Sequence, residues 1–159
     1  MQPSCDPGSQ VKTTNAERRA FLCAQHDQLR QTILVTQEAA KNLLAAKGEA
    51  GALQAAVSTL NDQLLIHLAD EESLLEPVLL GIDAWGPVRA GLLRAEHAHQ
   101  RAVLAVLSGP PAWPAGPLVA RRALALCDDL LTDMNFEERE LLCERVLRDD
   151  FILLDASDS

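Results

Sequence analysis

Leu53, Val57, Leu60 and Leu64 follow one another at alternating steps of four and three residues, and His67, Glu71, Leu74 and Val78 continue the same steps. These steps trace one face of a 3.6-residue period, so the segment reads as an amphipathic helix that ends near Pro77. Upstream, "TNAERRAFLCAQHDQLRQTILVTQEAAKNLLAAKGEAG" opens with Thr14 or Asn15 as a helix cap, carries Glu17 in its first turn and breaks at Gly48 to Gly51. After the turn-rich connector "GIDAWGP", a third helix is expected from about Val88 to Leu107. The rigid break "SGPPAWPAGP" then places Pro117 in the first turn of a fourth helix, which is expected to run to about Arg148. Four long helices with short connections predict an all-α protein, an antiparallel up-down-up-down four-helix bundle. In this reading residues 1–14 are a flexible polar leader, 15–148 form the bundle, and 149–159 are a tail whose Phe-Ile-Leu-Leu cluster docks against the bundle or frays.

Composition narrows this picture without changing it. A chain of 159 residues is long enough for one core, and 48% hydrophobic content with two tryptophans, three phenylalanines and no tyrosine favours helix packing over sheet. A net charge of -9 repels nucleic acid and anionic membranes, so neither is an expected partner. The first residues hold no apolar signal region, and no run approaches the roughly 18 apolar residues that span a bilayer, so a cytoplasmic location is expected. Cys5, Cys23, Cys127 and Cys143 are scattered without a C-x-x-C pair and read as reduced, mostly core, residues. Trp85 and Trp113, in the two connectors, read as caps on the bundle ends.

Polar residues interrupt the apolar stripes at matching depths. His67 and Glu71, four apart, share one face of the second helix, and that face is its apolar one. Burying a carboxylate there costs several kcal/mol, which a bound cation would offset directly; the alternative is a partly exposed ion pair near a helix end. His26 is in phase with Leu22, Leu29 and Ile33. In "EHAHQR" only one of His97 and His99 can face inward, since they lie about 200° apart around a helix; His97 shares its phase with Leu93, Leu104 and Leu107. "QHDQLR" and "EHAHQR" align His26 with His97, each followed four residues later by Arg. When Leu64 is laid on Leu130, His67 meets Asp133, Glu71 meets Glu137 and Glu72 meets Glu138; one residue further on, His67 meets Met134 and Glu71 meets Glu138. At roughly 1.5 Å per residue, His26, His67, His97 and Asp133 all fall about 14 to 22 Å from the same end of an antiparallel bundle. Four helices thus bring polar side chains to one layer of an apolar core.

The run H, then H-x-x-x-E-E-x-x-L with a following Pro, then H, then x-x-x-E-E-x-x-L-L resembles the hemerythrin-like cation-binding family over about residues 15 to 148. The resemblance implies a non-haem iron protein, with two irons per chain bridged by carboxylates or a single metal only. His26, His67 and His97 would be terminal ligands, and Glu71 and Glu137 the bridges. Where the family carries a fourth-helix histidine this chain has Asp133, or Met134 in the other register; aspartate is an acceptable donor to ferric iron and thioether a poor one. The implied function is binding, sensing or handling of oxygen, nitric oxide or iron, with a small diatomic ligand as partner and a homodimer left open. An enzyme is not expected; if there is one, it is an oxidoreductase acting on peroxide or nitric oxide. The other reading is a bundle that has lost its metal and serves as a protein-interaction or regulatory module.

Overall fold

The computed structural model describes residues 13–109 and 116–149. Its helices are α1 (Asn15–Leu44), α2 (Ala50–Leu74), the short α3 (Glu76–Ile82), α4 (Gly86–Ser108) and α5 (Pro117–Glu140), and there is no strand among the described residues. The four long helices form the antiparallel up-down-up-down bundle: α1 packs on α2 and α5, α2 on α4, and α4 on α5. Trp113 and Cys5 lie outside the described residues, as do most of the leader and nearly all of the tail.

Thr14 caps α1, and its side chain and Glu17 reach back to each other's backbone N–H in a capping box. The start of α1 is also tied to the far end of the chain. The backbone N–H groups of Asn15 and Ala16 donate to the Asp149 carboxylate at 2.6 and 3.1 Å, and the Asn15 side chain donates to the Arg148 carbonyl at 2.7 Å.

Two helix ends differ from the sequence expectation, and in the same way. The second helix ends at Leu74, three residues before Pro77, and Pro77, which has no N–H to lose, sits in the first turn of α3, which begins at Glu76. The fourth helix ends at Glu140 instead of near Arg148. At both breaks the first residue after the helix donates to a glutamate carbonyl four residues back, Leu75 to Glu71 and Leu141 to Glu137, each at 2.8 Å. After α5, turns through 141–149 bury Leu141, Leu142, Val146 and Leu147.

Gly86 opens α4 at a close approach, because a Cβ there would stand 2.0 Å from the Leu79 carbonyl oxygen. Trp85 beside it is 67% exposed, so it does not cap the bundle as the sequence suggested.

The core is divided. Leu29, Ile33, Leu64, Leu68, Leu104, Leu130 and Met134 belong to one apolar cluster, and Leu22, Leu75, Leu79, Ala90, Leu93 and Leu141 to another. Each long helix places a buried polar residue between them: His26 between Leu22 and Leu29, Glu71 between Leu68 and Leu75, His97 between Leu93 and Leu104, and Glu137 between Met134 and Leu141.

Candidate metal centre

His26, Glu71 and His97 are fully buried, and His67 and Glu137 are nearly so. All three imidazoles turn Nε2 toward one carboxylate. His26 Nε2 is 3.8 Å from Glu71 Oε1, while His67 Nε2 and His97 Nε2 are 3.5 and 3.1 Å from Glu71 Oε2. Glu137 joins from α5, with Oε2 3.3 Å from His26 Nε2. His26, His67, Glu71 and Glu137 can each offer one donor atom, all within 4.8 Å of one another.

The opposite nitrogen of each ring is held from behind. His26 Nδ1 donates to Glu138 Oε1 at 2.9 Å, and Arg30 grips that same oxygen at 2.8 Å. His97 Nδ1 donates to Glu72 Oε1 at 2.9 Å, and Arg101 clasps both oxygens of Glu72 at 2.6 and 3.0 Å. His67 Nδ1 donates to Gln25 Oε1 at 2.9 Å, and the Gln25 amide is anchored on Asp70 at 2.6 Å. With Nδ1 committed as a donor, the lone pair of a neutral ring sits on Nε2, the nitrogen that faces inward. An acceptor behind the ring fixes its orientation and raises its basicity as a ligand.

The His–Glu–Arg arrangement occurs twice, across α1 and α5 and again across α4 and α2. Its traces in the sequence are the Glu-Glu doublets at 71–72 and 137–138 and the Arg four residues after His26 and after His97. One glutamate of each doublet points inward and its neighbour supports a histidine. Both traces are legible in the sequence; that Glu72, Glu138, Arg30, Arg101 and Gln25 support the histidines is not, and Glu138 stood there only as the alternative to Glu137. Gln25 and Gln100 left no comparable trace.

Glu137 is 2% exposed while Glu138 is half-buried, which is the register that lays Glu71 on Glu137. Met134, in that register, packs into an apolar cluster. Asp133 stands at the rim. It is half-buried, and its Oδ2 accepts a 2.7 Å hydrogen bond from the amide of Gln100, a residue only 2% exposed. His99, the other candidate of "EHAHQR", is exposed on α4.

Without a cation the charges settle unevenly. Burial opposes protonation of His26, but Glu137, Glu71 and Glu138 outweigh it and lift the imidazole to about 10. Burial pushes His67 down to about 4. Burial would raise Glu71, yet the neighbouring His26 and His97 imidazoles hold it down to about 2. Burial and the nearby Glu71 charge push Glu137 up to about 8, and burial with the Glu96 charge pushes Asp133 up to about 6. Protons thus stand in for positive charge.

The set nevertheless leaves polar atoms without partners: His26 Nε2, Glu71 Oε1 and Gln100 Oε1 are buried and accept or donate no hydrogen bond. Buried polar atoms are seldom left so, because each costs about 1–3 kcal/mol. Imidazole nitrogen and carboxylate oxygen around such atoms form a donor set suited to a first-row transition metal such as iron.

A family model described as the hemerythrin HHE cation binding domain matches residues 19–146. No curated protein and no solved structure matches the chain. The matched residues span most of the 159, from the second turn of α1 to the turns that follow α5. The chain therefore belongs to the hemerythrin HHE cation-binding domain family.

Proposed function

We propose that this protein holds non-haem iron, two ions per chain bridged by Glu71 and Glu137, and that it binds, senses or handles oxygen, nitric oxide or iron itself. The observation that carries the reading is the convergence of three Nε2 atoms within 3.8 Å of the Glu71 carboxylate, with every Nδ1 already engaged. His26, His67 and His97 are the proposed terminal ligands, and Asp133 is the proposed sixth residue. Iron so held would supply redox chemistry and a place for a small diatomic ligand, while the chain's own residues orient the imidazoles and exclude water. A binding or sensing role is favoured over an enzyme. The cytoplasm is the proposed location; no described helix is long and apolar enough to cross a membrane.

The test is iron, zinc and manganese content per chain on freshly purified protein, together with its near-ultraviolet spectrum. Two irons with oxo-bridge bands support the proposal. One metal would restrict the centre to His26, His67, Glu71 and Glu137, the four that already lie together. No metal after anaerobic ferrous reconstitution would sink the proposal and favour a protein-interaction module.

A further inference from the structure

α4 and α5 meet over less of their length than any other neighbouring pair of long helices, and two depressions open along this seam. One, of about 420 Å³, includes Glu96, His99, Asp129 and Asp133 in its lining. The other, of about 260 Å³, includes Glu96, Asp133 and Glu137. They share Glu96, Asp133 and Phe136, so they adjoin, and between them they are lined by donors from exposed His99 and Asp129 to Glu137 in the buried layer, with Arg89, which is paired with Asp83, at the edge of the inner one. Beside these donors Gln100 is 2% exposed, its amide nitrogen is bound to Asp133, and its Oε1 has no partner. That buried oxygen, on the side chain that holds Asp133, is a free ligand atom.

A hydrated divalent cation gives up its water reluctantly, and it does so by exchanging oxygens one at a time. A sealed bundle would oppose that, since His26, Glu71 and His97 are fully buried. An anionic mouth raises the local concentration of cations and their rate of arrival, and successive carboxylates can replace water stepwise.

We infer that the α4–α5 seam is the path by which a divalent cation reaches the centre, collected at the surface by Glu96, His99 and Asp129 and passed inward by Asp133 and Gln100 to Glu137. The inference rests on the metal-binding reading above. It assigns Glu96 and Asp129 a part in loading and none in holding the metal. Neutralising them should therefore slow uptake and leave the final state unchanged.

The experiment mixes chelator-treated full-length protein with ferrous ion anaerobically, and in parallel with cobaltous ion, and follows uptake by stopped-flow absorbance. Final stoichiometry is measured separately. The Glu96→Gln/Asp129→Asn double variant should load about tenfold more slowly at low salt, reach the wild-type stoichiometry and spectrum, and lose its deficit as salt rises. Glu38→Gln/Asp62→Asn makes the same change in charge at exposed positions on α1 and α2 and should load at the wild-type rate. Equal rates for wild type and the seam variant, or equal slowing in both variants, would overturn the path alone. Failure of the wild type to take up either ion would overturn the metal-binding reading and the path with it.

Discussion

At the residue scale, much of this centre's order resides in groups that would not touch a metal. Glu138 and Glu72 each hold a histidine Nδ1 and are themselves held by Arg30 and Arg101. Removing such a support typically costs 10–100-fold in metal affinity. Glu138→Gln keeps an acceptor oxygen but removes its negative charge. It should lower affinity about tenfold, measured by chelator competition, with far-ultraviolet circular dichroism unchanged. His67→Ala should lose the metal altogether, and stoichiometric retention would remove His67 from the ligand set.

The pKa shifts predict opposite pH responses for metal-free and loaded protein. His26 is raised from 6.5 to about 10 and Glu137 from 4.5 to about 8. In both cases the folded chain binds protons that the unfolded chain has released. Above about 6.5, where the opposite contribution of His67 has ended, metal-free stability should therefore fall as pH rises, through Glu137 up to about 8 and through His26 up to about 10. Loaded protein should gain stability over the lower part of that range, because the metal competes with those protons. Melting curves at several pH values with and without metal check this; parallel trends would contradict it.

At the element scale, the helix termini carry local signals of known magnitude. Replacing Thr14 by Ala removes the capping box and should cost about 1 kcal/mol. At the other end of α1 the chain turns through Ala46 with φ of 54°, and Lys47 and Gly48 both donate to the Asn42 carbonyl. A β-carbon in this left-handed conformation costs roughly 1–2 kcal/mol, and glycine is the usual residue there. Ala46→Gly should therefore raise the melting temperature slightly, despite the extra freedom it gives the unfolded chain. Denaturant titrations of the two variants should shift in opposite directions. Alternating apolar steps of three and four predicted where the helices run, but buried Leu75 and Leu79 continue that phase across the break after α2, so periodicity does not mark where the helix ends.

At the scale of the whole molecule, a polar layer separates two apolar clusters, and the bundle closes over charges that hydrophobic packing alone would expel. A metal that binds only this closed state stabilises it by mass action, by about 2.7 kcal/mol when free metal is a hundredfold above its dissociation constant. Chelation should accordingly lower the melting temperature by several degrees, and ferrous ion added back should restore it.

The sequence by itself determined the four-helix architecture, the inward faces of α1, α2 and α4, and the common depth of His26, His67, Glu71 and His97, because periodicity and rise per residue are properties of one helix at a time. It did not determine which of two adjacent residues on α5 turns inward, since shifts of one residue matched the α2 pattern about equally well. Nor could it join Glu138 to His26, Glu72 to His97 or Gln100 to Asp133. Those contacts depend on how far each helix is rotated and advanced against its neighbours. Packing of the apolar clusters on either side of the layer sets that rotation and advance, and only the folded bundle contains it.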